Sequence, residues 1–260
     1  MMAPGEREDR LYDDPDLVEF YDLENGWGAD FDFCARLAAD ARSVLDLGCG
    51  TGALAAGLAQ RYEGCTVVGS DPAAAMLEVA RRRPGGNKVE WVDADARTLD
   101  LDRRFDLVVL TGHAFQVFLT PADQLAVLRT IARHLNPRGR FLFDSRNPAA
   151  EEWREWVPEE SRRDVRHPTL GTVEAWNDAA HDPATGIVTY ETHYRVAASG
   201  KQLMATSKIR FTPKDELEAL IHDAGLHTTR WLGDWQENLF TPTAPEIIPL
   251  GGLVQIATAV

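Results

Sequence analysis

Three glycines, Gly48, Gly50 and Gly52, crowd the turn "DLGCGTG" that joins the apolar run Val44, Leu45, Asp46, Leu47 to the alanine-rich stretch 53–62. The first run reads as a strand and the second as a helix, so the turn between them carries the constraint. Glycine without a Cβ lets main chain approach a ligand where a side chain would collide. The turn is therefore expected to be a binding element.

The pattern of that unit repeats. Strand-like runs "TVVGSD" (66–71), "VEWVDAD" (89–95), "FDLVVLTG" (105–112) and "GRFLFDS" (139–145) alternate with helical runs at 73–83 and 121–135. Valine- and leucine-rich strands separated by amphipathic helices predict βαβ units: a doubly wound, Rossmann-like, mostly parallel sheet covered on both faces. Pro121 suits a helix start and "NPRG" at 136–139 a helix stop. The arginines at 81–83 close a helix, where positive charge suits the dipole, and read as a solvated face.

After Asn147 the texture changes. A Trp-containing acidic helix around "AAEEWREW" is expected to lead into about three antiparallel strands, "GTVEAWND", "GIVTYETHYRV" and "KQLMATSKIRF", with Asp182-Pro183 and Ser199-Gly200 as turns. Along the middle strand Val188, Tyr190, Thr192, Tyr194 and Val196 share one face, while Glu191, His193 and Arg195 share the other. One face packs; the other meets solvent or a cleft. A helix at 213–226, ended by Gly225, precedes two closing strands, "HTTRWLGDW" and "GGLVQIATAV", separated by the loop "ENLFTPTAPEIIP". The expected organisation is N-terminal lid helices (1–40), a cofactor-binding core (41–147), an antiparallel insertion capping the site (148–211), and a C-terminal helix with closing strands (212–260).

Charge narrows the partner. Formal net charge is −14 over 260 residues, which repels phosphate backbones and anionic membranes and favours small molecules over nucleic acid. No run approaches a membrane span, and "MMAPGEREDRLYDDPD" lacks the basic start and apolar centre of a secretory signal, so the cytosol is the expected compartment. Cys34, Cys49 and Cys65 are too few and too irregularly spaced for a disulfide framework or a zinc site, and no metal is expected.

In an open parallel sheet, ligands lie beyond the carboxyl ends of the strands near the switch point. Those ends offer the glycine turn, Asp71 as a ribose acceptor, Asp95 as a purine-edge acceptor, and Thr111 to His113 as a polar loop. The turn also distinguishes cofactors. A carboxylate beside the first glycine, here Asp46, is unwelcome next to a pyrophosphate but suits a ligand bearing an ammonium group. S-adenosylmethionine has an adenosine, a zwitterionic amino acid and no phosphate.

"VLDLGCGTG", "GSDPAAAMLEVARRR", "VDADA" and "RFDLVVLTGHAFQVF" resemble the successive motifs of class I S-adenosylmethionine-dependent methyltransferases, over roughly residues 40–145 and in order. The resemblance implies that Gly48, Gly50 and Gly52 meet the methionine moiety and that Asp46 contacts its amino group. It further implies that Asp71 binds the ribose hydroxyls, Met76 packs on adenine, Asp95 and Ala96 meet its exocyclic edge, and Thr111 to Ala114 close over the sulfonium. "LYDDPDLVEFYDLENGWG" resembles the family's lid, making Tyr12, Tyr21 and Trp27 candidates for cofactor contact. The insertion resembles the cap of small-molecule methyltransferases.

Methyl transfer is an in-line displacement, so aligning the acceptor is the main task. His113, directly after the fourth strand, is the candidate base, although a loop-closing hydrogen bond or a cofactor contact is the plainer role for a lone histidine. Gln116 and Trp235 are candidates for substrate contact, with structural bonding and core packing as their plainer roles. The expected activity is methylation of nitrogen or oxygen on a small molecule by a monomer or homodimer. Protein or RNA methylation, a catalytically silent cofactor binder, and a nicotinamide oxidoreductase are the alternatives.

Overall fold

The structure, a computed structural model, describes residues 10–254. Its elements in chain order are α1 (Arg10–Asp13), α2 (Pro15–Glu24), α3 (Ala29–Ala38), β1 (Ser43–Leu47), α4 (Ala53–Arg61), β2 (Thr66–Asp71), α5 (Ala74–Arg82) and β3 (Glu90–Asp93). Then follow β4 (Phe105–Leu110), α6 (Pro121–His134), β5 (Leu135–Phe143), the short β6 (Ser145–Arg146), α7 (Pro158–Ser161) and β7 (Arg163–His167). β8 (Gly171–Asp182), β9 (Ile187–Val196), β10 (Gln202–Arg210), α8 (Lys214–Asp223), β11 (Leu226–Leu232) and β12 (Glu246–Leu253) complete the chain.

The main sheet runs β11-β12-β5-β4-β1-β2-β3, with β6 paired to β12. β3, β2, β1, β4 and β5 are mutually parallel, and β12 is antiparallel to both β5 and β11. The order reverses between β1 and β4, which is where an open sheet leaves a crevice beyond its strand ends. Alternation along the strands builds both cores. Leu107 and Val109 of β4 face α3 and α4, whereas Val108 and Leu110 face α6 and α8. Thr120 caps α6 by accepting the Asp123 N–H at 3.1 Å, and Pro121 opens that helix.

The insertion and the C-terminal segment differ from expectation. The insertion has four strands, ordered β10-β9-β8-β7, rather than three. β7, "RDVRH", is short and mostly charged, and two of its five side chains are buried, so it carries no apolar signal. The expected helix around "AAEEWREW" is instead two 3₁₀ turns, Pro148–Ala150 and Glu152–Glu155, because Pro148 and the left-handed Glu151 (φ 50°) break any longer helix. The last strand begins at Glu246, inside the stretch read as a loop, and it carries Pro249 paired opposite Trp231. The part of the expected tail strand at 255–260, and residues 1–9 of the expected lid, lie outside the described residues.

α2 is clasped between the two sheets. Leu17 and Phe20 are fully buried in one cluster with Val165, Val173, Ala175, Tyr194 and Val196, so the lid covers the insertion's packed face. Phe20 stacks on Tyr194 with ring centroids 4.1 Å apart. Of the two faces of β9, the one bearing Val188, Thr192, Tyr194 and Val196 packs, and Arg195 on the other is exposed. No helix among the described residues is long and apolar enough to cross a membrane.

Candidate active site

The glycine turn leaves β1 with all three glycines at positive φ, at 69°, 53° and 74°. The amides of Gly48 and Cys49 both donate to the Ser70 carbonyl, at 2.7 and 3.0 Å, which folds the turn back onto β2. Packing explains why position 52 excludes a side chain. A Cβ on Gly52 would lie 2.3 Å from the Trp91 ring, and Trp91 is itself fixed by its indole N–H donating to the Gly86 carbonyl at 2.8 Å. Gly48 is hemmed in by Leu110 and Ala114 in the same way.

Asp71 ends β2 and is oriented by backbone. Its Oδ2 accepts the Gly50 N–H and its Oδ1 the Ala73 N–H, each at 2.8 Å. Burial raises its carboxyl above the ordinary value, and those two amides pull against the rise. Each oxygen retains a lone pair for a hydroxyl donor.

Between the turn and the lid lies a cleft of about 260 Å³, into which Tyr21, Glu24, Asp30, Asp46 and Gly112 open. Three carboxylates line it, and none of the described residues lining it is basic. Asp46 is 2% exposed, and burial pushes its carboxyl up to about 7. The Ala55 N–H, in the first turn of α4, bonds it, but its Oδ2 is buried with no hydrogen-bond partner. A buried acceptor left unmatched is costly, and a cationic ligand donor is the chemistry that satisfies it.

The lid closes this cleft with side chains from α2. Tyr21 covers Gly50 and Gly112, and burial first, then the charges of Asp71 and Asp144, raise its phenol above the ordinary value. Tyr12 meets Tyr21 edge to face at 6.1 Å, and both pack around Met76 and Val18. Asp22 accepts the Thr51 hydroxyl at 2.6 Å and pairs with Arg83 at 2.5 Å, so the third of the arginines at 81–83 binds the lid instead of lying on a solvated face. On the opposite flank Glu24 accepts the Tyr194 hydroxyl at 2.6 Å and pairs with Arg163.

His113 stands one residue beyond Gly112, in the left-handed region at φ 60°, at the start of a 3₁₀ turn over Ala114–Val117. Its backbone N–H points at both Asp144 oxygens, 3.1 Å each. Its Nε2 lies 2.9 Å from Glu246 Oε1 and 3.5 Å from Asp144 Oδ2. Burial works against a charged imidazole, but Asp144 and Glu246 outweigh burial and leave His113 above its ordinary value. Burial also pushes Asp144 up to about 6. The three donor atoms lie within 4.8 Å of one another, a nitrogen and oxygen set that could also hold a metal ion.

Other expected site residues are placed elsewhere. Asp95 is held by the Arg97 guanidinium at 2.6–3.0 Å, which lowers its carboxyl, and Ala96 is buried in the α6-side core. Gln116 is fully buried, donating to the Arg210 carbonyl and accepting from Arg146, each at 3.1 Å; its amide joins core to insertion. Trp27 is half exposed and packs over Gly57 of α4. Trp235 packs on Phe33 of α3 at 6.1 Å. Thr111, by contrast, lines the cleft.

Sequence reasoning missed Glu24, Asp30, Asp144 and Glu246. Asp144 was legible, because it follows a strand whose carboxyl end had to lie on the ligand rim. Glu246 was hidden by the loop reading of its segment, and Glu24 and Asp30 sit on lid helices whose docking no periodicity reveals.

Residues 44–139 match the family described as Methyltransferase domain. The chain is 35% identical over 144 residues to a cypemycin N-terminal methyltransferase from a Streptomyces species, covering 54% of this chain and 58% of that one. It is 29% identical over 228 residues to dTDP-3-amino-3,6-dideoxy-alpha-D-glucopyranose N,N-dimethyltransferase of Streptomyces fradiae, covering 81% and 84%. The first curated relatives it matches are spanned over about half of their length. The sugar N-methyltransferase KedS8 of a Streptoalloteichus species superposes with a TM-score of 0.75 at 21% identity, over 98% of this chain and 100% of that one, which establishes the shared fold.

Proposed function

We propose that this chain, whose residues 44–139 are a methyltransferase domain of the class I S-adenosylmethionine-dependent type, methylates nitrogen or oxygen of a small molecule, with an amine as the favoured acceptor. One observation carries the reading: Asp46, buried beside the glycine turn, keeps a carboxylate oxygen without a partner in a cleft lined by three carboxylates. That oxygen matches the ammonium of a phosphate-free zwitterionic nucleoside and would repel a pyrophosphate.

The residues present fit the cofactor. Asp46 and Gly48 would hold its amino acid, Asp71 its ribose and Met76 its adenine face, while Asp95 stays paired with Arg97. Thr111 and Gly112 would border the sulfonium, and Tyr12 and Tyr21 would close over it. When bound, S-adenosylmethionine supplies an electrophilic methyl group on sulfur. The chain's own task is to exclude water with α2, align the acceptor, and accept a proton at His113.

An acidic rim suits a protonated amine, which Glu24 and Asp30 attract and which must lose a proton before its lone pair can react. The names of the two sequence relatives, an N-terminal methyltransferase and an N,N-dimethyltransferase, support a nitrogen acceptor. The net charge of −14 favours small metabolites over nucleic acid, and we place the protein in the cytosol as a monomer or homodimer.

The test is cofactor-dependent formation of S-adenosylhomocysteine across a panel of small amines and hydroxyl compounds, preceded by calorimetry with S-adenosylmethionine and a nicotinamide dinucleotide. Turnover with amines is expected. Heat released by the dinucleotide alone would overturn the reading.

A further inference from the structure

We propose that Glu246, with Asp144, is a positioning residue that fixes the tautomer of His113 and makes its Nδ1 the proton acceptor for the incoming amine. This deepens the methyl-transfer reading and rests on it. The three side chains come from three different strand ends: His113 after β4, Asp144 after β5, and Glu246 at the start of β12. They meet at the strand ends, one residue beyond Gly112, which lines the cleft.

Geometry assigns the nitrogens. Glu246 Oε1 at 2.9 Å and Asp144 Oδ2 at 3.5 Å both lie on Nε2. A carboxylate only accepts, so Nε2 carries the hydrogen and Nδ1 keeps its lone pair. The contact to Glu246 orients the ring, and the backbone beneath it is anchored separately: the His113 N–H is bound by Asp144 in a left-handed conformation.

Charge argues for a proton acceptor over an inert ion pair. Asp144, Glu246 and, from α3, Asp30 face the imidazole with negative charge, while Arg146 on β6 is the nearby cation. The Arg146 guanidinium is committed elsewhere: to Gln116 and Glu152, each at 3.1 Å, and to the Trp156 face at 5.1 Å. Tyr21 of the lid faces Asp144. Glu246 also retains a buried Oε2 without a partner. With a neutral imidazole the cluster holds two carboxylates and no cation of its own, so taking a proton onto Nδ1 relieves it. The proton leaves the acceptor ammonium for Nδ1, and the nitrogen lone pair so freed forms the new bond to carbon. The carbon–sulfur pair remains on sulfur.

The test observes the imidazole directly. Long-range ¹⁵N–¹H spectra of the full chain, with His113 assigned by comparison with His113→Gln, report tautomer and titration midpoint without any acceptor. The wild type is expected to show hydrogen on Nε2, and Glu246→Gln to lower the midpoint by about one unit. Glu246→Asp should restore most of it. Hydrogen on Nδ1, or an unmoved midpoint, overturns the proposal. Should Glu246→Gln fail to fold, Asp144→Asn carries the same expectation.

With an amine that turns over, the acid limb of kcat/KM in Glu246→Gln should move to lower pH by the same shift, while its plateau falls and KM changes little. A lower plateau with an unmoved limb indicates a merely structural role and overturns the proposal. So does turnover that requires added Mn²⁺ or Zn²⁺ and is lost on chelation, since His113 would then be a ligand. Failure of methyl transfer itself shows as no S-adenosylhomocysteine with any acceptor, whatever the imidazole spectra report.

Discussion

Thr51, in the glycine turn, donates its hydroxyl hydrogen to Asp22 of α2 at 2.6 Å, so the turn and the helix that covers it are joined directly. Arg83 strengthens the junction, bonding the Thr51 carbonyl at 2.9 Å and Asp22 at 2.5 Å. Asp22→Ala is expected to weaken S-adenosylmethionine binding by about 1 kcal/mol, roughly fivefold, because the pair is partly exposed and screened. Hydrogen exchange along α2 should quicken while the core strands keep their protection. Unchanged exchange would show that the junction does not hold the lid.

Asp71 braces Gly50 and Ala73, and under the proposed function it would offer its remaining lone pairs to a sugar. Asp71→Ala should cost at least ~1.5 kcal/mol of cofactor affinity by calorimetry, and Asp71→Asn less, because an amide oxygen can replace one acceptor. Equal affinity in both variants and the wild type would remove the ribose role.

The buried Asp46 makes binding depend on pH. Its folded value of about 7 lies above the ordinary 3.8, so native stability from this group is intact below about pH 4 and is lost as pH rises through about 7. Asp46→Asn keeps an acceptor for the Ala55 N–H. It should therefore raise stability at pH 8 by roughly 1–3 kcal/mol in denaturant titrations, with little difference at pH 4. In the wild type, S-adenosylmethionine affinity should rise between about pH 6 and about pH 7.5 as the carboxylate forms opposite the ammonium. That rise should vanish in the variant.

At Gly52 a methyl group meets the Trp91 ring at 2.3 Å and Ala80 at 2.8 Å, in a left-handed backbone. Gly52→Ala should lower stability by about 2 kcal/mol or more in thermal unfolding. Adding Trp91→Leu should recover part of that loss. No recovery would assign the cost to backbone strain and the Ala80 contact.

The parallel core was legible because each strand end announced itself: glycines after Leu47, a carboxylate closing β2, a polar loop after Leu110. Alternation of valine and leucine then fixed which residues face which helices. What stayed hidden has physical causes. β7 is stabilised by pairing to β8 more than by its own apolar content, and β12 tolerates Pro249 inside a strand. Two of the three members of the His113 cluster, Asp144 and Glu246, are remote in sequence, and their convergence depends on β12 entering between β5 and β11. Gln116 and Trp235 are types found as readily in a core as in a pocket, and each is engaged by neighbouring protein groups.

Asp22 and Glu24 stand two positions apart on α2, one tied to the glycine turn and Arg83 and the other to the insertion. The helix is therefore a shared hinge plate: whatever immobilises it from one side has already met part of the ordering cost for an arrival on the other. Under the proposed function, donor and acceptor would then favour each other's residence by equal factors, and the departure of one would loosen the hold on its companion.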